Sequence, residues 1–342
     1  MTTWEYTKQL KAGWNLGDTL DARSKTKSPT PSQQETAWYN PITTPEMIKL
    51  VADTGFDIFR IPVTWDSHIG PAPDYTIDNG WMDRVNQVVD YGYDNNMTVI
   101  LNTHHESWYF PSEENYPAAS EKLKAVWTQI ANHFAHYGNR LIFESMNEPR
   151  KVKTPVEWNG GDAEGRAVVV KLNQDFVNTI RAAGGNNASR MLMVPVYAAS
   201  AEEIAMEDFV LPNDPENGEK IIVSIHAYIP YDFALGNDQS INAWTPGYEA
   251  VIDEVFTRIN KHFLSKKIPV IMGECGARKK GGNIADRVAW AKAYTNIAKN
   301  HGVPCIWWDN GRIEGPDSWE LFGIMNRKAA TWEFPQIVEA FI

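Results

Sequence analysis

Two glutamates in this chain sit where a carboxylate is costly to keep. Glu148 closes the apolar run in "LIFESMNEPR" and Glu274 closes the one in "IPVIMGECGA". A carboxylate at the end of a buried apolar segment persists when it is paired or used. Around them in the sequence stand Arg60, His104, His105, Asn147, His226 and Tyr228, each also at or near the end of an apolar run. Two carboxyl groups flanked by His, Arg, Asn and aromatic residues suit acid–base and nucleophilic work on a glycosidic bond. One carboxyl must then carry a proton at neutral pH while the other is ionised, which unequal surroundings achieve. Arg60 and a donating Tyr228 are expected to keep Glu274 ionised. Glu148, with His226 as its neighbour, is expected to have a raised pKa because of the partner carboxylate.

Other chemistries fit less well. His104, His105 and His226 with Glu274 could suggest a metal-dependent hydrolase. Adjacent His104 and His105, however, should point to opposite faces of a strand, and no second Asp/His cluster joins them, so no metal is expected. Cys275 follows Glu274 directly and should face away from it. Cys305, three residues before Trp308, should face the same outer side at a lower level, so neither a cysteine nucleophile nor a disulfide is expected.

The elements that must position these groups are legible as eight apolar runs: "AGWNLGD", "FDIFRIPV", "MTVILNTHH", "RLIFESMNE", "RMLMVPVYA", "KIIVSIHAY", "IPVIMGECG" and "VPCIWWDN". Segments of helical period lie between them. Leu123, Trp127, Ile130, Phe134 and Tyr137 mark one, and Val251, Val255, Ile259 and Phe263 another. "TTPEMIKL" carries a Thr-Pro-Glu start signal for the first helix. Strands alternating with helices and no break in composition predict an α/β chain folded as one (β/α)8 TIM barrel over residues 1–342. A doubly wound nucleotide-binding sheet would need a Gly-rich phosphate turn after its first strand, and "GWNLGDT" is not one. In a barrel all strand C-termini converge on one face. Six of the runs place polar or aromatic residues at that end, which packing alone does not account for.

Bulk properties narrow the partners. With 342 residues and a formal charge of −11, nucleic acid and anionic membrane surfaces are not expected partners. Fourteen tryptophans exceed the need of an ordinary core, and those in loops suit the flat C–H faces of sugar rings. The two cysteines exclude a disulfide-rich scaffold. "MTTWEYTKQLKAG" has no apolar h-region and no long apolar span follows; a signal could have been removed, and an extracellular, monomeric protein is expected.

The stretches "GWNLGDTLDA", "ETAW", "FRIPVTW", "LNTHHE", "FESMNEPR", "SIHAY", "GECGA" and "WWDNG" together resemble glycoside hydrolase family 5, in particular its anaerobic bacterial and rumen endoglucanases. They run in order from about Trp14 to the last strand. The resemblance implies a retaining endo-β-1,4-glucanase without cofactor, with Glu148 as acid/base and Glu274 as nucleophile. It further implies that Arg60 and Tyr228 orient the nucleophile and that His104 and His226 support the proton network. Asn147 would hold a sugar 2-hydroxyl, His105 would reach hydroxyls, and Trp308, rather than Trp307, would stack beneath the sugar. Trp38 and Trp108 complete the substrate-binding set, with Trp158 and Trp244 as further candidates in loops. Asp18 stands where the family usually has Asn; with Asp21 it is expected to contact the next sugar on the non-reducing side. Mixed-linkage glucan, xyloglucan and mannan are alternative substrates, and a non-hydrolytic carbohydrate-binding barrel is the reading from another class. Glu144, on the same side of a regular strand as Met146 and Glu148, is expected to be a buried supporting acid beneath the site, paired with Arg60 or hydrogen-bonded there.

Overall fold

In the computed structural model, which describes residues 2–214 and 220–342, the eight apolar runs form β1 (Ala12–Leu16), β2 (Ile58–Ile61), β3 (Thr98–Asn102), β4 (Leu141–Glu144), β5 (Leu192–Ser200), β6 (Ile221–His226), β7 (Val270–Cys275) and β8 (Cys305–Asp309). They pair in sequence order as a closed parallel barrel. β8 returns to β1 with Ala12 opposite Cys305 and Leu16 opposite Asp309. Strands covered on both faces bury every residue except Ser200 at the end of β5, which is why they read as continuous apolar runs rather than alternating ones.

Helices Pro45–Thr54, Asn79–Asp94, Tyr116–His133 and Ala163–Ala182 follow the first four strands. Glu203–Glu207, Tyr248–His262, Ile284–His301 and Pro335–Phe341 follow the rest, the one after β5 being reduced to five residues. Thr44 and Pro45 open the first of these helices, and Gly55 closes it in the left-handed region at φ 116°. Phe134 and Tyr137 are buried as their spacing suggests but lie past the end of Tyr116–His133. Val251 is turned to solvent, and Ile252 takes the inward place in Tyr248–His262. No helix among the described residues is long and apolar enough to cross a membrane.

Two apolar layers hold this arrangement. The larger lies between strands and helices and contains Trp14, Phe59, Trp127, Trp290 and Trp307, together with Cys275 and Cys305, both free thiols. The smaller fills the lower half of the barrel with Ile58, Ile100, Ile142, Met193, Ile222, Ile271 and Ile306. Tyr6 and Leu10 seal it from below, the Tyr6 hydroxyl bonding to Thr98 Oγ1 at 2.6 Å. Above the isoleucine layer the interior turns polar, with Asn15, Arg60, Asn102, Glu144 and Ser224 all fully buried. The apolar lower half supplies stability, and the polar upper half carries the site.

Candidate active site

Arg60 is the centre of the polar floor. Its side chain is wholly buried, and its N–H groups go to four partners from three strands or their ends. Nε donates to Glu144 at 2.7 Å, Nη1 to Asn15 at 2.9 Å and Glu274 at 2.8 Å, and Nη2 to Asn147 at 2.7 Å. Burial works against the guanidinium charge, but Glu144 and Glu274 outweigh it and push the Arg60 pKa up. Glu144 also accepts from Asn102 Nδ2 at 3.1 Å and Ser224 Oγ at 2.8 Å. Both its oxygens are thus satisfied below the cavity. Met146, however, joins the outer apolar layer instead of sharing a side with Glu144. β4 ends at Glu144, and beyond the ladder the two-residue alternation no longer applies.

Glu148 and Glu274 stand at the rim of this floor. Each offers an oxygen within 4.8 Å of the other and of a His226 nitrogen. On Glu274, Oε1 accepts from Arg60 and Oε2 from the Tyr228 hydroxyl at 2.8 Å. Burial, and then the charge of Glu274, push the Tyr228 pKa well up, so the phenol stays a donor. His226 Nδ1 lies 2.8 Å from Glu148 Oε1 and 3.7 Å from Glu274 Oε2. Gly273 makes this packing possible: a Cβ there would sit 2.9 Å from His226 Nε2 and 3.0 Å from Ser224 Oγ.

The expected upward shift of Glu148 is not what the structure gives. Burial does push it up, but the hydrogen bond from His226 and the charges of His226, Arg150 and His105 outweigh that and hold it below the usual range. Arg150 Nη1 is 3.6 Å from Glu148 Oε2. Although Arg150 follows Asn-Glu-Pro directly, sequence reasoning assigned it no role.

A cavity of about 560 Å³ opens above the carboxylates, with Asn147, Glu148, Tyr228, Glu274 and Trp308 in its wall. Trp308 faces it, while Trp307 faces the helices and donates to the Phe322 carbonyl. His104 stacks parallel to Trp308 at 5.7 Å. Its Nδ1 accepts from Asn102 Nδ2 at 3.2 Å, leaving the proton on Nε2. Burial first, then the charges of His105 and Arg60, keep His104 neutral. His104 and His105 do not diverge: β3 has ended at Asn102, and the two rings meet edge to face at 4.4 Å on the same cavity. Together with Asp21 they bring three ligand-type atoms within 4.8 Å of one another, so strand alternation is no argument against a metal there. Asp21 Oδ1 and Oδ2 already accept from the backbone N–H of Thr19 and Asp18.

The remaining candidates separate. Asp18 and Trp38 line the 560 Å³ cavity. Asp21 is fully buried behind it, tying the turn and facing His105 Nε2 at 3.6 Å. Asp18 adopts φ 53° and pairs with Arg312 at 3.1 Å; burial and neighbouring Asp21 push its pKa up to about 7. Of the loop tryptophans, Trp158 lines the cavity and carries the Arg150 guanidinium on its ring at 4.1 Å. Trp108 does not line it. Its indole donates to Glu106 at 2.8 Å and lies beneath the Lys122 ammonium. Trp244 packs on Phe233 and Tyr248 on the outer side of the barrel. Both were expected along an open cleft, but a loop indole's position depends on tertiary contacts that spacing does not encode.

The comparisons with known proteins agree with this geometry. Residues 21–313 match the profile of Cellulase (glycosyl hydrolase family 5). The chain is 43% identical to Endoglucanase A of Ruminococcus albus, over all of this chain and 92% of that protein. It superimposes on a GH5-4 broad specificity endoglucanase from Ruminococcus champanellensis with bound cellotriose at a TM-score of 0.96 and 46% identity, covering 100% and 98% of the two chains. A xyloglucan-specific endo-β-1,4-glucanase of the same family from a metagenomic library, also in complex with cellotriose, gives 0.93 at 38% identity over 99% and 97%. Fold, motif order and full-length similarity agree: the chain belongs to glycosyl hydrolase family 5 and is a glycoside hydrolase.

Proposed function

We propose that the protein cleaves internal β-1,4-glucosidic bonds of β-glucans by double displacement with retention of configuration. A Glu274 oxygen attacks the anomeric carbon while a proton passes from Glu148 to the departing glycosidic oxygen, giving a glycosyl ester on Glu274. Water then gives a proton to the ionised Glu148 and attacks the same carbon, releasing the sugar and restoring Glu274. The observation that carries this reading is the approach of the two carboxylates to within 4.8 Å. Oxygens this near one another favour the close pair of a retaining enzyme, roughly 5–5.5 Å between carboxyl groups, over the wider gap of inverting ones.

The surroundings support the division of roles. Glu274 is held by Arg60 and Tyr228, both donors. Glu148 shares a 2.8 Å contact with His226 Nδ1, which sets the imidazole against the carboxyl that must deliver the proton of the first step. The groups that favour the Glu148 anion suit it to act as base in the second step. Asn147 gives its carbonyl oxygen to Arg60, which leaves its amide N–H for a sugar 2-hydroxyl. Trp308 supplies an apolar platform, with His104 and His105 as hydroxyl partners. The endoglucanase names of the relatives and the cellotriose bound in two of them support a glucan substrate. Mixed-linkage glucan and xyloglucan are further substrates on this reading. It needs no cofactor, and a single barrel acting as an extracellular monomer suffices.

The test is reducing-sugar release from carboxymethylcellulose, barley glucan and xyloglucan, with the anomer of the first product read by NMR. Wild type should release β-anomer product, and Glu148→Gln and Glu274→Gln should each lose at least about a hundredfold in rate. An α-anomer as first product, or a Glu274→Gln variant of wild-type rate, overturns the mechanism.

A further inference from the structure

Each oxygen of Glu148 has a different neighbour. His226 Nδ1, on β6, lies 2.8 Å from Oε1, and Arg150 Nη1, on the loop after β4, stands 3.6 Å from Oε2. The second separation is longer than a hydrogen bond. The guanidinium therefore acts on Oε2 through its charge and does not occupy the oxygen that must exchange a proton.

Arg150 is held in this place from several sides. Nη1 donates to the backbone carbonyl of Glu148 at 3.0 Å, the guanidinium lies on the Trp158 ring at 4.1 Å, and Nε donates to Glu157 Oε1 at 3.1 Å. Glu157 is itself fixed, because its Oε2 accepts from the Lys153 N–H at 2.6 Å. Lys153 sits at φ 62°, a left-handed conformation that persists where surrounding structure demands it. Lys151 ties the same loop down, its N–H donating to the Tyr197 hydroxyl at 2.8 Å and its ammonium pairing with Asp162 at 2.7 Å. One guanidinium is thus shared between two carboxylates, Glu148 and Glu157.

The other titratable groups that face Glu148 come from separate elements. His226 and Tyr228 come from β6 and its end, Glu274 from β7, and His105 and Tyr109 from the loop after β3. Burial first, with the neighbouring carboxylates, keeps both phenols neutral. Glu274 loses its charge when it becomes the glycosyl ester. Arg150 alone among these groups carries a positive charge that is permanent.

Resting on the double-displacement reading above, we propose that Arg150 is a positioning residue for the acid/base, its charge setting how firmly Glu148 holds the proton in both steps. Glu157, by sharing the guanidinium, sets how much of that charge Glu148 feels. The test is pH profiles on two substrates. On cellohexaose the alkaline limb of kcat/KM follows loss of the Glu148 proton in the free enzyme. On a dinitrophenyl β-cellobioside, whose leaving group needs no proton, the acid limb of kcat follows Glu148 as base in the glycosyl-enzyme.

A cation this near lowers a carboxyl pKa, so its removal raises it. Both side chains are partly exposed, which places the effect at the low end of the usual range. Arg150→Met should therefore move both limbs up by about one pH unit, and Arg150→Lys should return them at least halfway. Glu157→Gln, which keeps the guanidinium, should move both limbs down, and should move neither in the Arg150→Met background. Unmoved limbs in Arg150→Met, or a rate lost equally at every pH, overturn the proposal while leaving double displacement intact. A Glu157→Gln shift that survives in the Arg150→Met background overturns the sharing. A wild type that releases nothing from either substrate falls on the hydrolase reading itself and overturns both.

Discussion

Replacing Glu144 by Gln tests whether the floor beneath the two working carboxylates is held by charge. The substitution keeps shape and removes one of two anions from Arg60, with both Arg60 and Glu144 at 0% side-chain exposure. The amide oxygen introduced there could still accept one hydrogen bond from Arg60, Asn102 or Ser224, but the amide N–H groups would face donors. Breaking a buried pair by neutralising one partner costs about 3–5 kcal/mol. Glu274 remains as counter-ion at 2.8 Å, which places the expected loss near the lower end, about 3 kcal/mol. A chain of 342 residues unfolds with an entropy of about 0.7 kcal/mol/K, so the midpoint should fall by about 4 °C. Arg60 also aims Glu274 and Asn147, and its displacement should lower kcat on carboxymethylcellulose by about ten- to a hundredfold. Scanning calorimetry and initial rates read the two effects on one preparation. A midpoint within about 1 °C of wild type together with kcat within about twofold would refute the argument that this ion pair organises the site.

Two further outcomes follow from the same geometry. Asp18 has a folded-state pKa raised to about 7 by burial and Asp21, so the folded chain holds a proton that the unfolded chain releases between about pH 4 and 7. Its contribution is present below that window and lost as pH rises through it. Asp18→Asn should therefore match wild type near pH 4 and exceed it above pH 7, by at most about 4 kcal/mol; denaturant titrations at the two pH values check this, and a gain confined to acid would contradict it. Gly273→Ala would drive a methyl into His226 and Ser224; a cooperatively folded variant with kcat reduced about tenfold or more is expected, and wild-type kcat would show that the close packing of His226 is dispensable.

Much of this protein was settled by the order of residue types along the chain. Eight buried parallel strands read as apolar runs because helices cover them on one face and the barrel interior on the other. The polar residues at their C-terminal ends, Arg60, His226 and Glu274 among them, marked one face because all eight strands run the same way. Trp308, which the resemblance to the family favoured over Trp307, lies on the cavity side, and Trp307 lies on the helix side. Alternation failed two or three residues past the ladder, at Met146 and at His104 with His105, because only the hydrogen-bonded pleat enforces it. Tertiary structure alone decided the rest. Trp158 reaches the cavity while Trp108 and Trp244 do not, since a loop indole goes wherever Arg150, Glu106 or Phe233 holds it. The direction of the Glu148 shift was set by Arg150 at 3.6 Å and His226 at 2.8 Å. For Glu144 the sequence left open pairing with Arg60 or hydrogen bonding beneath the site, and the closed barrel supplies both, with Arg60, 84 residues away in sequence, at 2.7 Å and Ser224 Oγ at 2.8 Å. Electrostatic balance depends on separations of a few ångströms, and the chain fixes those only once it has closed the barrel.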